Sequence, residues 1–313
     1  MSEINVLYAF DSNFWRLAAV SIHSLMRSKK SDTQITVYCM VAPRTRGFRR
    51  IKRIVESQGG KLVWRVIRRR ENPYIKHDYS RWSPVIFYRL FAHRIFPELD
   101  RLLYLDSDTI VRSDLTKLYN TNLSKYVIGA VRDMAPASFP DSVHGKYVVD
   151  FIATYKRTNL YINSGVLLMN MPAMRAADAD LLAARPELTY PDQDILNVAL
   201  DGRTRELPLR YNCVPDMGID PGFPKRMLHD SVNDIVIAHF YAVKPYHYNV
   251  VPVTTYSMFT SVAHELGMDP EDFLRADIRR QRKKRKKTFD NKTNIPFVTL
   301  DEHGRLRLFG IRI

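Results

Sequence analysis

Two carboxylates, Asp106 and Asp108, stand one residue apart directly after the apolar run Leu102-Leu103-Tyr104-Leu105. In an extended chain, residues two apart point to the same side, so both can reach one cation at the mouth of a sheet. Hard oxygen donors of this kind suit Mg²⁺ or Mn²⁺, which keep other positions open for phosphate oxygens. The competing reading is a strand-end turn held by Asx hydrogen bonds. His239 ends a second apolar run, Ile235–Ala238, in the same kind of position. An imidazole nitrogen is a softer donor and favours Mn²⁺ at such a site; a satisfied core histidine is the plainer alternative. Five residues further on, Lys244 can set a cationic head on phosphates.

Two more segments carry polar groups beside apolar runs. Asn163-Ser164-Gly165 precedes Val166–Met169, and its small residues and amide permit close approach of a polar ligand; a plain turn is the equally good alternative. Asp192-Gln193-Asp194 follows Pro191 at a helix start, where an N-cap or first-turn acid is the alternative for either Asp.

The elements that must position these groups are legible from periodicity. Ile4–Ala9, Ile35–Val41, Leu62–Ile67 and Leu102–Leu105 read as strands; the first ends at the turn formers Asp11, Ser12 and Asn13, which are N-cap candidates for the next helix. Between the strands, Trp15, Ala18, Ala19, Ile22, Leu25 and Met26 form one helix face. A basic helix spans about Arg46–Ser57 and stops at Gly59-Gly60, and another opens at Ser83-Pro84. Further strands are expected at Val127–Val131, Val166–Asn170 and Ile235–His239, with helices near Ala173–Ala184 and Asp192–Ala199. Alternating β and α units predict an α/β/α sandwich with a mostly parallel sheet, in which ligands collect beyond the C-terminal strand ends.

Composition bounds the rest. The 313 residues include 48 basic and 33 acidic ones, a net charge of +15, and 45% are hydrophobic, which excludes global disorder. Eight of the nine residues 279–287 are basic (Arg279, Arg280, Arg282, Lys283, Lys284, Arg285, Lys286, Lys287); without them the net charge falls to +7. A run this dense fits an anionic surface, such as a cytoplasmic leaflet or nucleic acid, or else forms a solvated tail. Cys39 and Cys213 alone cannot form a disulfide framework or a C-x-x-C zinc site and are expected to be buried strand residues. Apolar runs are too short to span a bilayer, and an acidic N-terminus without an apolar core predicts no export signal. Asp269-Pro270-Glu271-Asp272 reads as a helix start, and Thr288–Ile313 as a small hairpin or loosely held tail. The boundary divides the chain into segments 1–260 and 261–313.

Taken in order, the pieces resemble the family-eight retaining glycosyltransferases, especially bacterial lipopolysaccharide galactosyl- and glucosyltransferases. The resemblance runs from about residue 4 to 248. It rests on Leu7-Tyr8-Ala9-Phe10-Asp11-Ser12-Asn13, Tyr88-Arg89-Leu90, Leu103-Tyr104-Leu105-Asp106-Ser107-Asp108, Asn163-Ser164-Gly165-Val166-Leu167, Asp192-Gln193-Asp194-Ile195-Leu196-Asn197, and His239-Phe240 through Lys244-Pro245. It implies a GT-A type Rossmann-like domain, with Asp106, Asp108 and His239 holding Mn²⁺ (or Mg²⁺), and a UDP-sugar as donor. Ala9, Asp11, Asn13, Ser107 and Lys244 are implied at the nucleotide. Arg89, Asp133, Asn163, Ser164, Gly165 and Asp192 are implied at the donor sugar, and Gln193 beside the anomeric carbon. The chain departs from the family in its last motif, where only Tyr241-Ala242-Val243 separates Phe240 from Lys244 and Tyr246 stands in place of a Trp.

The activity implied is transfer of galactose or glucose from a UDP-hexose to a glycan or glycolipid acceptor in surface polysaccharide synthesis. Its setting would be cytoplasmic, with the basic segment 261–313 on the anionic inner face of the plasma membrane. Gln193 is a poor nucleophile, so front-side attack is the expected route to retention, with Gln193 and Asp192 positioning the sugar. Two other classes compete: a basic nucleic-acid-binding or metal-dependent nuclease protein, and a non-catalytic membrane-associated domain with a degenerate transferase fold. The first needs its basic residues around the metal pocket, whereas the densest run lies far along the chain, so no nucleic-acid partner is expected.

Overall fold

The structure is a computed structural model describing residues 2–74, 83–134, 141–184, 189–214, 235–241 and 253–276, together with a few single residues and short strands beyond. It divides into two compact units, Met1–Gly267 and Met268–Ile313. The basic run 279–287 lies outside the described residues. Among the described residues, no helix is long and apolar enough to cross a membrane.

The first unit contains strands β1 (Ser2–Phe10), β2 (Thr33–Val41), β3 (Lys61–Val66), β4 (Arg101–Leu105), β5 (Thr109–Val111), β6 (Ile128–Arg132), β7 (Ile162–Asn170), β8 (Thr204–Glu206) and β9 (Ile237–His239). Seven of them form one sheet in the order β3-β2-β1-β4-β7-β6-β8. All run the same way except β7, which is antiparallel to both β4 and β6. Both faces of the central strands are buried, which explains their unbroken apolar runs: Leu102 to Leu105 of β4 are fully shielded. Each such side chain contributes about 1.5–3 kcal/mol, so the end of β4 is held firmly in place.

Strand order reverses between β1 and β4, the topological switch point where ligands bind in doubly wound sheets. Two further pairings bring chemistry to that point. Because β7 runs backwards, its first residues meet the end of β4: Leu105 faces Val166, and Asp106 N–H donates to Gly165 O at 2.8 Å. Asn163, Ser164 and Gly165 therefore lie inside a strand, not in a turn before one. The pair β5–β9 sets Thr109 opposite His239, and Phe240 N–H donates to Asp108 O at 3.0 Å.

Several local expectations are corrected. The segment after Ser83 is a 3₁₀-helix, Pro84–Phe91, followed by a short α-helix, Ala92–Ile95. Six of the eight 3₁₀ residues are buried, so it has no polar face of the kind an amphipathic α-helix presents. The helix Trp15–Ser28 starts without a side-chain cap. The expected helix 173–184 is two short ones, Met171–Ala176 and Asp178–Ala183; Asn170 caps the first by accepting from Ala173 N–H. An unanticipated helix, Val143–Tyr155, buries Gly145, Val148 and Phe151 and is capped by Ser142. Both cysteines are free and buried.

A near-buried ion pair fastens the helix Pro191–Ala199 that carries Gln193. Lys156 Nζ lies 2.9 Å from Asp201 Oδ1 and donates to Asn197 O at 2.7 Å, while Arg157 N–H donates to Asp201 Oδ2 at 2.6 Å. Burial would raise the Asp201 pKa, but the Thr158 hydroxyl, Lys156 and the Arg157 N–H bring it down to about 2. A folded pKa below the unfolded value of about 3.9 means a stabilising contribution that is fully present above pH ~4 and lost as the pH falls toward 2. Asp201→Asn is therefore expected to lower the melting temperature at pH 7 and to converge on the parent protein near pH 2. A pH series of thermal melts checks this; a gap unchanged between pH 7 and pH 2.5 contradicts it.

In the second unit, residues 270–276 are helical, and Asp269 Oδ1 accepts from Glu271 N–H at 2.9 Å. The C-terminal strands β10 (Val298–Leu300), β11 (Leu306–Leu308) and β12 (Ile311–Arg312) form an antiparallel three-stranded sheet, one strand more than a hairpin.

Candidate metal and donor site

Asp106, Asp108 and His239 each offer a ligand atom, and these atoms all lie within 4.8 Å of one another. His239 Nε2 is 3.3 Å from Asp108 Oδ1 and 3.6 Å from Asp106 Oδ2. Its side chain is 1% exposed, yet Nε2 has no hydrogen-bond partner among the described residues.

Hydrogen bonding assigns the tautomer. Gly165 N–H, an unambiguous donor, is 3.0 Å from Asn163 Oδ1, which fixes that amide. The same oxygen accepts from Asn212 Nδ2 at 2.8 Å, and this turns Asn212 Oδ1 toward His239 Nδ1, also at 2.8 Å. An acceptor there requires the proton on Nδ1 and leaves the Nε2 lone pair facing the two carboxylates. A bare buried nitrogen beside two carboxylate oxygens fits a divalent cation with mixed ligands, and Asn212 supplies the outer partner such a histidine needs. Asn212 carries no signal in the sequence; only the requirement for a partner on the second nitrogen finds it. Asn212→Leu is expected to weaken Mn²⁺ binding about 10–100-fold, read as free Mn²⁺ by electron paramagnetic resonance. Unchanged affinity in a folded variant contradicts the relay.

Gly165 makes the space for this ring. A Cβ there would lie 2.1 Å from His239 Cε1 and 3.0 Å from Asp106 Oδ2.

Arg89, 7% exposed, ties the carboxylates to the neighbouring segments. Its Nη2 donates to Asp106 Oδ1 at 2.8 Å and Nη1 to Ser164 O at 2.7 Å, while Nε lies 3.3 Å from Asp192 Oδ2. The guanidinium sits 4.3 Å over the Tyr104 ring, and Tyr104 OH donates to Asp106 Oδ1 at 2.6 Å. With Oδ1 used twice, Asp106 Oδ2 is the oxygen facing His239. Burial works against the charge on Arg89, but Asp106, Tyr104 and Asp192 outweigh it and raise its pKa. Asp108 is paired with Lys244, which also donates to Phe240 O at 3.3 Å. Burial would raise the Asp108 pKa; the Lys244 ammonium beside it outweighs this and holds it well below the carboxylate range.

Beside this cluster, Gln193 is pinned at both ends of its amide. Oε1 accepts from Ser164 N–H at 3.0 Å, and Nε2 donates to Asp133 Oδ2 at 3.1 Å. Asp133 Oδ2 also contacts His144 Nε2 at 3.1 Å. Asp192 accepts from Ser164 Oγ at 3.0 Å, and burial shifts its carboxyl pKa upward against Arg89. Asp194 is a structural acid: Tyr147 OH, Tyr161 OH and Tyr190 N–H all donate to it, and burial raises its pKa to about 6.

The structure thus brings Arg89, Asp106, Asp108, Asp133, Asn163, Ser164, Gly165, Asp192, Gln193, His239 and Lys244 into one connected network. Ala9, Asp11 and Asn13 stand at the end of β1, next to β4, outside its direct hydrogen bonds among the described residues. There Asp11 Oδ1 accepts from Asn13 N–H and Oδ2 from Ser83 Oγ. Ser107 Oγ is buried without a partner among the described residues.

Residues 5–250 match glycosyl transferase family 8. The chain is 28% identical over 221 residues to a lipopolysaccharide 1,2-glucosyltransferase of Escherichia coli K12, covering 67% of this chain and 62% of that protein. It is 24% identical to a lipopolysaccharide 1,3-galactosyltransferase of Salmonella typhimurium LT2, over 81% of this chain and 76% of the other. Among solved structures, the galactosyltransferase LgtC with donor and acceptor sugar analogues superimposes with a TM-score of 0.67 at 21% identity, covering 87% of this chain and all of that one. The bifunctional glycosyltransferase WbbM gives a TM-score of 0.70 at 20% identity, over 83% of this chain and 49% of that one. The fold is thus of the GT-A type, and the chain belongs to glycosyl transferase family 8.

Proposed function

We propose that this protein is a metal-dependent retaining hexosyltransferase that moves galactose or glucose from a UDP-sugar to a glycan or glycolipid acceptor in lipopolysaccharide or related surface polysaccharide synthesis. The observation that carries the reading is the cluster of Asp106, Asp108 and His239 with a bare, buried Nε2. The names of the lipopolysaccharide glucosyl- and galactosyltransferase relatives support the substrate class.

In this reading Asp106 Oδ2, Asp108 and His239 Nε2 hold Mn²⁺, or Mg²⁺ less well. When bound, the ion neutralises charge building on the departing UDP, worth several kcal/mol of barrier. Lys244, already beside Asp108, sets a second cation on the diphosphate. Arg89 holds Asp106 and Asp192 in place, and Ser107, Ala9, Asp11 and Asn13 receive the nucleoside at the ends of β4 and β1.

Gln193 Oε1 is committed to Ser164 N–H, and Gln193 is an amide, so it offers no nucleophile to the far face of the sugar. Front-side attack remains: the acceptor hydroxyl approaches on the leaving-group side and gives its proton to the departing phosphate oxygen. Asp133, Asn163, Ser164 and Asp192 then orient the donor-sugar hydroxyls, and Gln193 supports the anomeric centre. The basic segment 261–313 keeps the enzyme at an anionic cytoplasmic leaflet where a lipid-linked acceptor resides.

The test is a hydrolysis and transfer panel of UDP-sugars with Mn²⁺, Mg²⁺ or EDTA. Turnover of a UDP-hexose with Mn²⁺, abolished by EDTA, is expected; inertness toward every UDP-sugar in the presence of Mn²⁺ contradicts the reading.

A further inference from the structure

We propose that the first unit carries its own docking surface for an anionic lipid layer, separate from the tail: Arg44, Arg46, Arg68, Arg69 and Arg70, with the ring of Phe48 among them. Residues 43–73 hold eleven Lys or Arg against two acids, a net of +9. Together with the +8 of residues 279–287 this exceeds the chain's total of +15, so everything else is slightly acidic. The positive excess belongs to two segments, and residues 43–73 lie among the described residues of the first unit.

The fold gathers five of those eleven basic residues at one corner. Arg44 and Arg46 follow β2, and Arg68–Arg70 follow β3; these strands are parallel neighbours, with Val41 opposite Val66. Both basic groups therefore stand at the C-terminal edge of the sheet, the edge at which β1 and β4 deliver the candidate site. At about 4.8 Å per strand, the corner beyond β3 lies about 15 Å from the end of β4. The loop is fastened, not loose: Ala42 N–H donates to Phe10 O, Ser12 Oγ to Arg44 O, and Arg46 N–H to Ser12 Oγ.

All five arginines are exposed and make no ion pair among the described residues. The nearby acid Glu71 is taken by Arg65 and by Arg68 N–H. Apolar groups are exposed in the same segment: Phe48 is 43% and Val66 40% exposed, and Phe48 meets Trp64 edge to face at 5.3 Å. Unpaired basic heads around an exposed aromatic ring suit a headgroup layer, where charge meets phosphate and the ring enters the acyl boundary. A single bound anion would not need so broad a surface.

The experiment is vesicle sedimentation at low salt with the full chain, in a background whose eight basic residues of 279–287 are changed to Gln. Phosphatidylglycerol–phosphatidylcholine vesicles are compared with phosphatidylcholine alone. Salt-sensitive binding to the anionic vesicles is expected to persist in that background. It should fall at least about 100-fold on changing Arg44, Arg46, Arg68, Arg69 and Arg70 to Gln, and return when the five are Lys. Arg68→Gln/Arg70→Gln, a milder variant, should show about a tenfold loss. Equal binding to both vesicle types, binding undiminished by the five changes, or tighter binding to duplex RNA than to anionic vesicles overturns the proposal. The readout needs no turnover, so it stands or fails independently of the transferase reading.

Discussion

Asp106→Asn and Asp108→Asn are each expected to lower sugar transfer at least about 10³-fold while the protein stays folded. The magnitude follows from several kcal/mol of leaving-group stabilisation, at 1.36 kcal/mol per tenfold in rate. The fold should survive because Asn keeps an oxygen where each carboxylate had one. At position 106 it can still accept from Tyr104 OH and Arg89, which also keeps Ser164 O and Asp192. At position 108, Lys244 retains Phe240 O and is 25% exposed, so water replaces the lost partner. Transfer assays with circular dichroism and thermal melts of the metal-free variants check both halves. Normal turnover by the double variant Asp106→Asn/Asp108→Asn refutes the ligand assignment.

Gly165→Ala is expected to damage the same site, although it adds one methyl group and removes no polar atom. The new Cβ would lie 2.1 Å from His239 Cε1, far inside van der Waals contact. Neither side can yield easily. Gly165 O accepts from Asp106 N–H at 2.8 Å and Gly165 N–H donates to Asn163, so its backbone is pinned in β7. His239 is held by Asn212 and by pairing of β9 with β5. The ring must turn away from the carboxylates, and Mn²⁺ affinity should drop at least tenfold, with an overpacking cost of about 1–3 kcal/mol to the metal-free fold. Calorimetric Mn²⁺ titration measures the first and denaturant unfolding the second. Native Mn²⁺ affinity in Gly165→Ala would show that the ring does not need this space.

Much of the site was legible because its strongest signals are local. Asp106 and Asp108 follow an apolar strand, His239 ends another, and both adjoin segments that pair in space. Asn163–Gly165 reads in the sequence as small and polar with a plain turn left open, because an apolar run does not declare its direction; only the antiparallel placement of β7 carries those residues into the strand. The 3₁₀ form of Pro84–Phe91 was hidden for a related reason: its apolar residues satisfy a helical period on one face while burial extends all round. Asn212 and Tyr104 were invisible as functional residues. One is a lone amide and the other a core aromatic, and their roles exist only through partners distant in sequence. The helix Val143–Tyr155 escaped because Lys146, Asp150 and exposed Val143 and Val149 blur its apolar face.

The most direct measurement is anomalous diffraction at the manganese edge from crystals grown with MnCl₂ and UDP. One peak is expected within bonding distance of Asp106, Asp108 and His239 Nε2, with diphosphate oxygens completing the shell and Asn212 still on Nδ1. A peak elsewhere, or an imidazole turned away from an ion that sits on the two carboxylates alone, would contradict it.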